Sequence, residues 1–536
     1  MSPLSREASF ARLGEDPFDL LVVGGGATGA GVALDASTRG LSVALVERDD
    51  FSAGTSSRST KLIHGGVRYL EKAVKEFDRS QFNLVRDALR ERAVLIRIAP
   101  HLARPMPLVT PLYHWVQVPY FRTGLKLYDW LAGKSNLAPS RFVDAKEARA
   151  RFPMLKAEGL RGGVIYYDGQ FDDARMNVAI ALTAVEDGAV CVNHAEVTAL
   201  DKEDGNIAGA RVRDRFSGEE VRVRARAVVN ATGPFTDAVR RMDDPNARPM
   251  LSVSSGIHIV LDQRFSPPDT GLLIPETDDG RVLFLLPWQG HTLVGTTDAP
   301  AEIETHPKAS DDDIEYVLRH VRRYFASPVT REDVRATFSG LRPLVSDPDS
   351  SDTARLSRDH VINVSTGGLV TIAGGKWTTY RRMALDTVDQ AIKVGGLSAG
   401  PSRTSERVLI GGANHDPDGA AALADRFGLP EDVARHLNGA YGDRAAQVAT
   451  VAAEEGLSAR LAEGHPYLEA EAIHAARHEL ARSTTDVLMR RTRLGVLDRD
   501  AAVAAVARVN ELLAAELSWS EARAAEDRAD ATAYVV

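Results

Sequence analysis

Residues 18–47 read FDLLVVGGGATGAGVALDASTRGLSVALVE, from Phe18 to Glu47. Five apolar residues broken only by Asp19 run straight into glycines, which is the signature of a buried parallel strand ending in a tight turn. Gly24, Gly26 and Gly29 stand at the G-x-G-x-x-G spacing. The first allows the turn, the second lets a pyrophosphate approach the backbone, and the third lets the following helix pack closely on the strand. That helix is expected over about Ala27–Arg39, with Thr28 in its first turn and its N-terminal N–H groups facing phosphate. A second apolar strand, Leu41–Val46, ends on Glu47. A carboxylate about twenty residues past the glycines is placed to accept from a ribose 2′-hydroxyl, and it would repel a 2′-phosphate. The stretch therefore predicts a dinucleotide site.

The rest of the composition narrows the class. A chain of 536 residues with 44% hydrophobic content can bury large cores and form two or three domains. A net charge of −9 leaves no electrostatic footprint for nucleic acid. The single cysteine, Cys191, excludes an internal disulfide and a thiolate metal cluster, and no metal site is expected. It lies in an apolar run, Ala189–Val192, which places it in a core. The first seventeen residues lack the apolar core of a signal peptide, so the cytoplasm is the default compartment. No run is long and apolar enough to span a bilayer. Pro105–Phe121 comes nearest but carries four prolines, which forbid a regular helix there. The segment after it, Tyr120–Ala132, mixes aromatic, aliphatic and basic residues. It suits a membrane interface or a helix packed on its own protein.

Beyond the first unit lies Phe51–Thr60, a run of small hydroxyl residues. In isolation it would be a solvated loop; beside a dinucleotide turn, Thr55, Ser56, Ser57 and Ser59 can donate to the pyrophosphate and to a ring edge. Next come Lys61, Leu62, His64, Gly65, Gly66, Arg68 and Tyr69. Paired glycines let backbone approach a planar ring, and an arginine offers a fork for phosphate. The whole stretch TSSRSTKLIHGGVRYLE, residues 55–71, resembles the signature of the FAD-dependent glycerol-3-phosphate dehydrogenases, whose sister group is the glycerol-phosphate oxidases.

Further segments match the same pattern over most of the chain. VIYYDGQFDDARMNV (164–178) resembles the family's acidic strand-to-helix turn, with Asp172, Asp173 and Arg175; helix capping plus a local ion pair accounts for it equally well. A strand ending on Ala231-Thr-Gly233 brings Gly233 near the cofactor. From Met250 to about Leu341 short alternating strands suggest an antiparallel substrate sheet. His258 and the segments Pro287-Trp288 and Gly295–Asp298 match within it, although Ser255 stands where the family commonly has lysine. Ser339–Leu344 carries Arg342, Ser357–His360 carries Arg358, and Thr371–Arg381 carries Gly375, Lys376 and Thr378.

The resemblance implies an α/β fold: a Rossmann-like FAD-binding domain of the glutathione-reductase type, an antiparallel-sheet substrate domain and an all-α C-terminal domain. FAD-binding segments are expected at about 18–71, 164–245 and 340–395, and substrate segments at about 72–163 and 246–339. After a linker at 395–402, residues 403–536 form the helical domain, with the stretch from Glu516 frayed. The implied activity is oxidation of sn-glycerol 3-phosphate to dihydroxyacetone phosphate by hydride transfer to FAD, with electrons passed to quinone at the membrane surface. Arg68, Lys376 and Arg358 would bind the phosphate, Tyr69 would order the hydroxyl, and His258 and Arg342 would act at the carbinol. The protein is expected to be cytoplasmic and peripheral on the inner face of the cell membrane, with a homodimer one option among oligomeric states the sequence leaves open. Alternatives are an oxidase delivering electrons to oxygen to give hydrogen peroxide, or an FAD-dependent amine or amino-acid oxidase. The glycine motif alone would also suit a nicotinamide dehydrogenase, and a flavin-binding subunit without catalysis remains a further reading.

Overall fold

The computed structural model describes residues 4–66, 79–345 and 360–535. Strand Pro17–Val23 lies inside a parallel sheet, between strands Glu220–Asn230 and Val43–Val46, with Leu20 opposite both Ala227 and Val43. Among the described residues the order across this sheet is 360–364, 369–374, 220–230, 17–23, 43–46 and 190–192, and a meander of 195–203 and 206–214 extends it. Both faces are covered, which is why the strand reads as a nearly continuous apolar run, broken only by Asp19, and not as an alternation. The helix Ala27–Thr38 follows the glycine turn and is buried almost throughout, packed between the helices Asp173–Glu186 and Tyr380–Gly395. Cys191 sits in that core, and burial pushes its thiol up to about 12.

A second, mainly antiparallel sheet carries the long strands Ala103–Leu112, Gly162–Phe171, Leu251–Asp262 and Val334–Val345. Three of the four prolines expected to break helix, Pro105, Pro107 and Pro111, lie within the first of these. They share one parity, so the missing N–H groups fall on one side of the strand and the ladder on the other side survives. Pro119 falls in the first turn of the helix Gln117–Ala132, where its missing donor costs nothing. The expectation of strands alone between Met250 and Leu341 needs correction. A helix, Asp311–Tyr324, interrupts them, opened by a Ser310/Asp313 capping box and seated on Ile314, Val317, Leu318 and Val321. Those apolar residues keep the i, i+3, i+4, i+7 spacing of a helix face. The chain passes between the two sheets several times, so neither is built from one contiguous half.

Residues beyond 402 are helical, ending in Arg499–Glu516 and Glu521–Val535. The end of the chain is therefore not frayed as expected: Ala531 and Val535 are buried, and buried Asp527 accepts from Thr484 and Asn510. This region is joined to the dinucleotide unit by charge. Asp50, fully buried, accepts from Arg490 Nε at 2.6 Å and Arg491 Nη1 at 2.7 Å. Arg175 pairs with Glu479 at 2.7 Å, and Arg493 reaches Asp173 at 3.0 Å.

Candidate active site

A cavity of about 720 Å³ runs from the glycine turn to the antiparallel sheet. Its dinucleotide end is lined by Gly24, Gly26, Thr28, Glu47, Thr55, Ser56, Thr232 and Gly233. Gly24 has φ +107°, and a Cβ there would lie 2.7 Å from the Ala231 carbonyl oxygen, so no other residue fits the turn. A Cβ on Gly26 would point at Ser56 Oγ from 3.0 Å and narrow the channel. A pyrophosphate-sized anion fits this cradle of small residues beside a helix N-terminus. Glu47 takes backbone N–H groups from Gly25 at 2.6 Å and Asp49 at 2.8 Å. Burial, and then the neighbouring charge of Asp49, hold its carboxyl above the usual range.

The hydroxyl run is braced as well as exposed to the cavity. Thr55 donates to Leu341 O at 2.6 Å, and Ser56 accepts from Ala27 N through Oγ and from Trp377 Nε1 through its carbonyl, both at 2.9 Å. Leu62, His64, Gly66, Gly375, Lys376 and Thr378 also line the wall.

Four residues expected to touch the cofactor stand behind that wall. A Cβ on Gly29 would collide with the Gly24 carbonyl, so this glycine serves helix–strand packing. Gly65 donates its N–H to Tyr128 at 2.9 Å and leaves no room for a side chain against Leu89. Lys61 is fully buried, donating to Asp173 and to Ser57 O at 2.7 Å each. Ser57 serves through that carbonyl, which Arg493 also reaches at 2.9 Å. The side-chain types suited a phosphate loop; the long-range partners Asp173 and Arg493, invisible in local sequence, turned them inward.

At the sheet end His258 lies on the Leu251–Asp262 strand, opposite Gly295 and Phe338. Its imidazole is buried, stacked on Phe338 at 4.8 Å and 13°, with Nε2 2.9 Å from Thr60 Oγ1. A Cβ on Gly295 would strike the ring, which explains that glycine. Burial, then the positive charges of Lys61 and Arg342, hold His258 well below the ordinary histidine value. That environment favours the uncharged ring. Arg342 enters from the neighbouring strand, where Gly256 leaves it space. It is gripped by Asp298 at 3.2 Å, Thr296 Oγ1 at 2.8 Å and Thr297 O at 3.0 Å. Ser255 bonds Ser339 at 2.7 Å in the same pair of strands.

His258, Arg342 and Lys376 thus line the same cavity, while Arg68, Tyr69 and Arg358 lie outside the described residues. Asp172 caps the helix Asp173–Glu186 through Arg175 N at 3.1 Å, so for this residue the capping interpretation holds. Thr60, Phe338 and Asp298, which position His258 and Arg342, were not singled out from sequence. Only the spacing to already quoted segments could have marked them.

Comparison with known proteins agrees with this geometry. Residues 19–381 match the family described as FAD dependent oxidoreductase, and residues 402–524 match the C-terminal domain of alpha-glycerophosphate oxidase. The mouse protein "Glycerol-3-phosphate dehydrogenase, mitochondrial" is 50% identical over 99% of this chain and 75% of its own length. A relative from Arabidopsis thaliana, also named as a mitochondrial glycerol-3-phosphate dehydrogenase, is 49% identical over 96% of this chain and 85% of its own length. The glycerol-3-phosphate dehydrogenase of Bacillus halodurans, solved with FAD, superposes with TM-score 0.81 at 30% identity, covering 100% of this chain and 97% of that one. The expected cytoplasmic placement on the inner face of the cell membrane is overturned by these names, because the relatives matched at about half identity are mitochondrial proteins. No described helix is long and apolar enough to cross a membrane.

Proposed function

The chain belongs to the FAD-dependent glycerol-3-phosphate dehydrogenase family, and from that premise we propose that it oxidises sn-glycerol 3-phosphate to dihydroxyacetone phosphate. The observation that carries this reading is that buried His258, Arg342 and Lys376 all line the cavity that begins at Gly24. The glycine turn, Glu47 and the cavity-lining residues of the 55–66 and 374–378 loops would hold FAD, which when bound would supply a hydride acceptor. Lys376, with Arg68 and Arg358, binds the substrate phosphate, and Tyr69 orders the hydroxyl. Binding energy spent on the phosphate holds the carbinol in place. His258 takes the hydroxyl proton. Arg342, its fork fixed by Asp298 and Thr296, faces the oxygen as negative charge develops there.

A quinone is the proposed electron acceptor. The helix Gln117–Ala132 puts Phe121 on the cavity wall and leaves Tyr120 and Trp130 exposed, the latter 71%. Outward aromatics of this kind suit the headgroup layer of a bilayer, where a quinone dissolves. An oxygen-linked oxidase has no need of this surface. Glycerol 3-phosphate added without air should bleach the flavin, and the reduced protein should reoxidise quickly with quinone and slowly in air. Fast reoxidation by air would favour the oxidase, and a flavin that does not bleach would remove the substrate assignment. Trp130→Ser should weaken binding to lipid vesicles about tenfold, in line with the loss of one large apolar contact. Vesicle co-sedimentation reads this directly; unchanged binding would separate the helix from the membrane.

A further inference from the structure

We propose that His291, His465 and Asp498 form a site for a divalent transition metal of the zinc class, which pins the C-terminal helices to the substrate sheet. His291 opens the strand His291–Gly295, His465 lies in the turn before the helix Glu469–His478, and Asp498 caps the helix Arg499–Glu516. One donor atom from each lies within 4.8 Å of the others. His465 Nε2 and Asp498 Oδ2 are 3.6 Å apart, against about 3.3 Å for the edge of a tetrahedron with zinc–nitrogen bonds of ~2.0 Å. The two imidazoles are parallel within 10°, with centroids 5.5 Å apart.

The second donor of two of these groups is already committed. His291 Nδ1 bonds Gln289 O at 3.1 Å, and Asp498 Oδ1 accepts the cap bond from Ala501 N at 3.0 Å. That leaves Nε2 of the first and Oδ2 of the second for an ion, with the orienting bonds typical of a metal's outer shell. His465 is 7% exposed while its two neighbours are partly exposed, so a cation has a path in. Two nitrogens and one carboxylate favour zinc or its neighbours over calcium and magnesium, which prefer oxygen alone. Three protein ligands leave a fourth position for water. A second cluster, Asp50, His194 and Asp486, is different in kind, because Arg490 and Arg491 already neutralise its carboxylates. The expectation of no metal rested on the single cysteine; these ligands come from three separate segments.

The same group reaches toward the interior. Gln289, whose carbonyl orients His291, donates Nε2 to Asp172 at 2.7 Å and accepts from Tyr467 OH at 3.2 Å. An ion at this place would therefore tie sheet, helices and the Asp172 cap together.

The test uses the full FAD-loaded chain, stripped with a chelator, dialysed against zinc chloride and then against metal-free buffer. Elemental analysis should find about one zinc per chain, and none in the His291→Gln/His465→Gln variant. Asp498→Asn keeps a good helix cap and should lower zinc affinity about tenfold or more. Cobalt in place of zinc should give ligand-field absorption at wavelengths beyond the flavin bands, absent from the double variant and weaker in Asp498→Asn at equal cobalt. Equal zinc in wild type and in a double variant that retains its flavin would overturn the site, as would no retained zinc in the wild type. The latter would make the cluster an ordinary histidine–aspartate pair.

Discussion

Replacing His258 by alanine will slow flavin reduction by glycerol 3-phosphate about 10²–10⁴-fold while leaving the flavin bound. The imidazole stands on the antiparallel sheet and not on the glycine turn that would hold the cofactor, so loss of the base need not cost affinity for FAD. Stopped-flow bleaching measures the rate and the visible spectrum measures occupancy. A rate within threefold or so of the wild type would assign the proton to another group. The pH dependence follows from the environment of the ring. Burial, then Lys61 and Arg342, depress its pKa well below 6.5, so the base form persists across neutral pH and the acid limb of the rate lies below the ordinary histidine range. The sign for stability is the same. Below about 6.5 the unfolded chain takes up a proton that the folded chain refuses, so this group makes the protein less stable as pH falls through that window.

Arg342→Leu will lower kcat about 10²–10³-fold, the usual loss for removing one group that meets charge in the transition state. The fold should survive, because Asp298 retains a second arginine: Arg281 donates to its carbonyl and lies 3.8 Å from its carboxylate. Arg342→Lys keeps charge but loses the fork that grips Asp298 and Thr296, so it should recover only part of the rate. Single-turnover bleaching at saturating substrate separates this from a binding defect. A variant that raises KM alone would move Arg342 to the phosphate.

The parts of this molecule legible in sequence are those whose cause is local. The Gly24–Gly26–Gly29 turn, the buried strands beside it and the Glu47 strand end follow from residue type and spacing, and the helix after the turn began and ended within a residue of its expected bounds. His258, Arg342 and Lys376, marked by the resemblance, line one cavity. What escaped has long-range causes. Lys61 and Ser57 sit in a loop that reads as phosphate-binding, yet Asp173 and Arg493, more than a hundred and four hundred residues away, bind them on the far side of the wall. The helix Asp311–Tyr324 did carry a local signal, its capping box and apolar spacing, but it is embedded among strands and was read with them. The ends of the chain show the opposite error, since the acidic composition after Glu516 hid the contacts that bury Ala531 and Val535.

The buried arginines that reach from the helical region into the dinucleotide unit have a consequence for how such a chain can change over time. If a recombination junction fell near residue 400, Asp50 would lose both Arg490 and Arg491, and Arg175 would lose Glu479. Each stranded charge would cost about 3–5 kcal/mol, and two together rival the stability of an ordinary domain. A replacement helical portion would have to bring its own partners for Asp50 and Arg175.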